Sequence, residues 1–263
     1  MEKIIAAVLS ILTLPVSVPA QQKSDLVVDG HPLRLTFEDE FNGQELDSTK
    51  WTRADEMKRQ DKENYWSDTM SKLNGNGQLV ISAKTERGTN DILTGAVWTK
   101  GLFEQTYGYF EISTTLNTVP GYWTAFWLLT DNVMSEENGG RDGTEIDVYE
   151  SAYHDESLIQ HTLHWDGYAD KHGSEGTQVP LVYDEAYHTF GVLWTPEEYV
   201  FFVDGAETWR TDAAAAGGTC EVPLYMIISA ETGSWTYSQL DKNNLRDKIL
   251  IDYVKVYALM DNP

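Results

Sequence analysis

Apolar residues in this chain recur in short runs, mostly with a period of two, and Gly, Asn, Asp or Pro bounds nearly every run. That period belongs to strands rather than helices. The runs predict strands at 33–37, 78–84, 96–99, 107–115, 123–129, 144–150, 158–165, 188–194, 199–203, 224–230 and 249–257. The segment 199–209 reads as a hairpin, because Asp204-Gly205 suits a type I′ turn. Helix signals are poor: the alanines of 211–218 support a turn or two at most. Many short strands with almost no helix predict an all-β sandwich or barrel in one domain.

The first twenty residues read differently from the rest. Met1-Glu2-Lys3 precedes an apolar run from Ile4 to Leu14, and Val18-Pro19-Ala20 follows. The run is far shorter than the ~20 residues that span a bilayer. Its length, with small residues at 18 and 20, fits a secretory signal peptide removed after Ala20. A buried N-terminal segment is the alternative. No Cys lies near the cleavage point, so a lipoprotein anchor is excluded. The expectation is a secreted or periplasmic chain whose domain spans 21–263, with no membrane association after cleavage.

Composition narrows the partners. The 263 residues carry a formal net charge of −23, which argues against nucleic acid, since phosphate backbones need a cationic footprint. It argues more weakly against heavily sulfated polymers. The single Cys220 rules out an intrachain disulfide framework and any Cys-cluster zinc site, and nothing marks it as an activated nucleophile.

One strand carries the chemistry: Gly143-Thr-Glu145-Ile-Asp147-Val-Tyr-Glu150-Ser151. Alternation puts Glu145 and Asp147 on one face, with Ile146 and Val148 on the other. A regular strand would send Glu150 into the core with Ile146, where a charged carboxylate costs several kcal/mol. A β-bulge near Val148-Tyr149 returns Glu150 to the face of the other two acids. Two carboxylates flanking a glycosidic bond are the minimum for its acid/base hydrolysis, and a third between them can separate their proton affinities. In a chain this acidic the bare spacing arises by chance; its placement inside an Ile-Val-Tyr strand raises the catalytic reading against a solvated acidic face.

That segment resembles the E-x-D-x-x-E signature of glycoside hydrolase family 16 in its bulged form. Other stretches fall in the family's order: Phe37-Glu-Asp-Glu-Phe-Asn-Gly43 with Lys50-Trp51, Asn76-Gly-Gln-Leu-Val-Ile81, Tyr107-Gly-Tyr-Phe-Glu111, Gly121-Tyr-Trp-Thr-Ala-Phe-Trp-Leu128 and Ile251-Asp-Tyr-Val-Lys-Val-Tyr257. Thr124 stands where the family usually has Pro. The resemblance implies a concanavalin A-like β-jelly-roll sandwich with a concave cleft, and retaining endo-cleavage of a β-linked polysaccharide. It makes Glu145 the nucleophile, Asp147 the assisting acid and Glu150 the acid/base, with no cofactor for catalysis. It also implies a structural calcium on the convex side, held by Asp252 with carbonyls near Glu38 and Gly75.

A sugar cleft wants aromatic platforms with polar tips. Trp123 and Trp127 share a strand face; the first reads as cleft, the second as either core or cleft. Tyr122, Trp66, Trp98, Trp165 and Trp235 are further candidates. His161 and His164 face opposite sides of their strand, so a shared metal is not expected. The resemblance puts His164 beside the acid/base; a hydrogen-bonded structural His is the alternative. The segment 166–172 reads as a loop over the cleft. The expected substrate is neutral β-1,3- or mixed-linkage glucan, cleaved by a monomer. The alternatives are an endo-β-galactosidase acting on mucin- or keratan-type glycans or galactans, and a non-catalytic lectin on the same fold. Gly140–Thr144 and the 166–172 loop depart from the usual β-glucanase pattern.

Overall fold

The computed structural model describes residues 25–59, 63–136, 138–233, 236, 239–243 and 245–260. The segment 1–20 read as a signal peptide, and Trp235, lie outside them. All eleven expected strands are present, several with the bounds read from sequence, such as Trp123–Leu129, Leu158–Trp165 and His188–Trp194. The hairpin between Tyr199–Val203 and Ala206–Thr211 turns at Asp204 and Gly205, both with positive φ (51° and 74°), as a type I′ turn requires. The alanine-rich stretch makes only a 3₁₀ turn, Ala214–Ala216.

Among the described residues the strands form two sheets. The first runs Gly173–Pro180, Leu158–Trp165, Thr144–Tyr153, Trp123–Leu129, Tyr225–Glu231, Ala96–Trp98 and Thr52–Arg53, every pair antiparallel. The second centres on Gly108–Thr114 beside Arg246–Leu259 and His188–Trp194, and is also antiparallel except where Asn64–Trp66 meets Ile92–Thr94.

The main core is built from alternate residues of both sheets. Phe126, Leu128, Ile146, Leu163, Met226 and Ile228 of the first meet Phe110, Ile112, Phe190, Val192, Ile251 and Val254 of the second, all essentially inaccessible. Tyr149 stacks on Phe190 with ring centroids 4.2 Å apart. The opposite face of the first sheet carries a separate, mostly aromatic cluster of Trp123, Trp127, Tyr225 and Ile227, joined by Trp66 of the second sheet, with Trp98 against it. This face, turned away from the main core, forms the floor of the groove.

Candidate active site

The Thr144–Tyr153 strand supplies the acids, and its pairing shows how. Against Trp123–Leu129, Asp147 stands opposite Trp127, while Tyr149 and Glu150 stand opposite Phe126 and Ala125. Val148 is the inserted residue. The other neighbour agrees: Asp147 pairs with Thr162 and Glu150 with Gln160. Three steps on one strand thus match two on the next, which defines a bulge. Val148 and Tyr149 both turn inward and are fully buried. Glu145, Asp147 and Glu150 all line one open groove of about 500 Å³.

The bulge has a support. His161 Nδ1 lies 2.6 Å from the Val148 carbonyl, and its Nε2 lies 2.9 Å from the Thr208 hydroxyl. Burial pulls the His161 pKa down to about 4, so the ring is neutral and Nδ1–H donates to Val148. His161 is therefore a core residue, on the opposite face of its strand from His164, as alternation requires.

The groove is electrostatically tense. Burial pushes the Glu145 pKa up to about 8, with Asp147 adding to it; a hydrogen bond from the Tyr168 hydroxyl and the nearby His164 pull the other way. Burial also raises Glu150 well above the carboxylate range, and the charges of Asp147, Glu145 and Glu231 reinforce that; a long hydrogen bond from Gln160 Nε2 at 3.4 Å is the contact it has instead of a phenol and an imidazole. The asymmetry favours Glu150 as the protonated member and Glu145 as the ionised one. Burial opposes charge on His164, but Asp147, 3.4 Å from Nε2, outweighs it together with Glu145 and raises the pKa. Glu231 is buried and paired with Arg59 at 3.1 and 3.2 Å, and the Arg59 guanidinium lies 3.8 Å over the Trp66 ring.

The groove admits some of the expected aromatics and not others. Trp123 and Trp127 line it, the latter with Nε1 donating to Ser229 Oγ at 3.1 Å. Tyr122 does not: it is 1% exposed and packs in the main core. Trp165 also belongs to that core. It neighbours His164 on a strand, and adjacent residues cannot share a face. Trp66 is 2% exposed, its Nε1 donating to the Ala230 carbonyl, so it underlies Arg59 rather than offering a free ring. Sequence reasoning missed Arg59, Gln160, Tyr168 and Glu231, all of which line the groove. Only Tyr168 left a trace, as part of the loop expected over the cleft. Cys220 is buried, with its thiol pKa raised to about 11 by burial, so it is no nucleophile.

One of the expected calcium ligands is already engaged. The Glu38 carbonyl already accepts a hydrogen bond from the Lys50 ammonium at 2.7 Å, and a cation on a would-be ligand opposes a second one. Asp252 is an exposed residue of the second sheet.

Comparison with known proteins accords with this geometry. Residues 34–259 match the family model described as the GH16 domain of β-porphyranases A–D. Endo-1,3-1,4-β-glycanase ExsH of Rhizobium meliloti (strain 1021) is 31% identical over 191 residues, covering 70% of this chain and 39% of the relative. Keratan-sulfate endo-1,4-β-galactosidase of Sphingobacterium multivorum is 26% identical over 239 residues, covering 86% of this chain and 55% of the relative. The chain thus spans about two fifths of one curated relative and about half of the other. Among solved structures, the endo-β-1,3-glucanase of Pyrococcus furiosus superposes with a TM-score of 0.75 at 26% identity, over 90% of this chain and 98% of that one. The expected jelly-roll sandwich is therefore the fold observed. A family match across most of the chain, on a sandwich whose bulged acidic strand lines an open groove, places this chain in glycoside hydrolase family 16.

Proposed function

We propose that this chain is a retaining endo-β-glycosidase that cleaves β-1,3- or mixed-linkage β-1,3(4)-glucan. The observation that carries the reading is the bulge at Val148, which turns Glu150 to the face of Glu145 and Asp147. Glu145 attacks the anomeric carbon, and Glu150 gives its proton to the departing glycosidic oxygen. A covalent glycosyl-Glu145 ester results. Glu150, now a carboxylate, takes a proton from water, whose oxygen attacks the same carbon and frees Glu145. Asp147 lies between them and adds, by like charge, to the rise in proton affinity that burial gives both. His164 balances Asp147. Trp123 and Trp127 offer rings to the apolar faces of sugars.

An open groove suits attack within a polymer. Four carboxylates line it, Glu145, Asp147, Glu150 and Glu231, against Arg59 and His164, which favours a neutral glycan over a sulfated one at these positions. The Pyrococcus structure, an endo-β-1,3-glucanase by name, supports a glucan, and ExsH, named an endo-1,3-1,4-β-glycanase, supports the linkages. A galactan is the second reading, favoured by the β-porphyranase family model and the keratan-sulfate galactosidase relative. The N-terminal pattern of residues 1–20 supports export with cleavage after Ala20.

Digestion of laminarin, barley glucan, porcine mucin glycans, keratan sulfate and porphyran, with products read by mass spectrometry, tests the proposal. Gluco-oligosaccharides from laminarin or barley glucan are expected. Galactose-containing products alone would replace the substrate, and binding without any product at pH 5–7 would make the protein a lectin.

A further inference from the structure

The loop after Leu158–Trp165 reaches further into the site than a mere wall would. Asp166 and Gly167 have φ of 58° and 74°, a left-handed pair that reverses the chain, and the Gly167 N–H donates to the Val133 carbonyl at 2.6 Å. Beyond this root, the Tyr168 hydroxyl donates to Glu145 Oε2. His172 Nε2 meets His164 Nδ1 at 2.9 Å, with the rings stacked at 5.0 Å. His164 in turn faces Asp147 at 3.4 Å. One loop therefore touches Glu145 directly and Asp147 through His164.

We infer that Tyr168 is a positioning residue that fixes the Glu145 carboxylate and favours its charged form against the burial and like charges around it. The inference rests on the hydrolase reading above. Burial and the adjacent Glu145 charge raise the Tyr168 phenol, so it stays protonated and acts only as a donor toward Glu145. A hydrogen bond to a carboxylate is stronger than one to its neutral acid, which favours the charged form. By occupying Oε2, the phenol leaves Oε1 to meet the anomeric carbon.

The other groups facing Glu145 define what Tyr168 adds. Asp147 and Glu150 on its own strand, and Glu231 across the sheet, favour the neutral acid. Tyr225 is an uncharged phenol near it. The charge of Arg59 is taken up by Glu231. His164, backed by His172, favours the carboxylate, and Tyr168 is the side chain that hydrogen-bonds it among the described residues. Tyr168 is half exposed, so removing its hydroxyl leaves the core untouched.

Tyr168→Phe tests the role in two ways. The first is the pH profile of kcat/KM on the polysaccharide that the wild type cuts. The acid limb should move up by about one pH unit, with kcat at pH 5 falling about tenfold and KM nearly unchanged. The second needs no substrate: the carboxyl ¹³C titration of Glu145, assigned by its loss in Glu145→Gln, should shift upward by a similar amount. An unmoved limb, or an unmoved carboxyl titration in a Tyr168→Phe protein of wild-type thermal stability, overturns the inference. A wild type that cuts nothing on the panel defeats the hydrolase reading instead, and the carboxyl titration still decides the role of Tyr168.

Discussion

His161 donates from Nδ1 to the carbonyl of Val148, the residue inserted in the bulge, at 2.6 Å. A bulge removes one residue from the ladder, and a buried backbone carbonyl without a partner is costly. His161→Leu removes the donor and should destabilise the protein by about 1–3 kcal/mol. His161→Gln keeps a donor and should recover part of that loss. Denaturant unfolding measures both, and turnover should follow stability, because the bulge aims Glu150. Equal stability of the two variants would show that the histidine does not hold the bulge.

Substitution of the glutamates separates their roles. Glu145→Gln should leave folding and sugar binding intact while turnover falls by several orders of magnitude. Glu150→Gln should cost about 10²–10⁴-fold, the range of a lost general acid, and least with substrates whose leaving group needs no proton. Turnover on an activated aryl glycoside beside a polysaccharide reads the difference. A Glu145→Gln protein with wild-type turnover would refute the nucleophile assignment.

The raised carboxyls predict a dependence of stability on pH with a definite sign. Folded Glu150 keeps a proton that the unfolded chain releases near pH 4.3, so its contribution is full below that pH and is lost as pH rises through its folded value. Glu145 acts alike, with its window closing near pH 8. Glu150→Gln should therefore melt higher than wild type at pH 8, by about 2–4 °C for each kcal/mol gained, and equally at pH 4. His161 works in the opposite sense, losing stability as pH falls from about 6.5 toward 4. The difference between variant and wild type cancels that term. A variant that gains nothing at pH 8 would place Glu150 in a well-solvated setting.

Trp123 lines the groove yet is only 5% exposed, so its two roles can be separated. Trp123→Ala, in a Glu145→Gln background, should weaken oligosaccharide binding by about 1–3 kcal/mol, by analogy with stacking on nucleobases. Calorimetric titration measures it. Unchanged affinity with a lower melting temperature would make Trp123 a packing residue alone.

Much of this site was legible because the physics was local. A carboxylate inside an Ile-Val-Tyr strand demands either burial at high cost or a bulge, and the bulge lies where that argument puts it. The strand Gly173–Pro180 was not legible: it alternates between half-buried and exposed positions with no apolar face. Tyr122 and Trp165 were placed in the groove on residue type, although the period of two sends both inward beside Trp123 and His164. Glu231 and Arg59 meet across 172 residues of sequence, a pairing that no local pattern announces.

The account turns on Glu145 and Glu150 acting on one sugar from a single strand, with Glu145 bonding to carbon. Proton NMR of the anomeric signals during early hydrolysis of the polysaccharide that is cut tests this most directly. The β-anomer of the new reducing end should appear first and equilibrate later; an α-anomer appearing first would contradict the account.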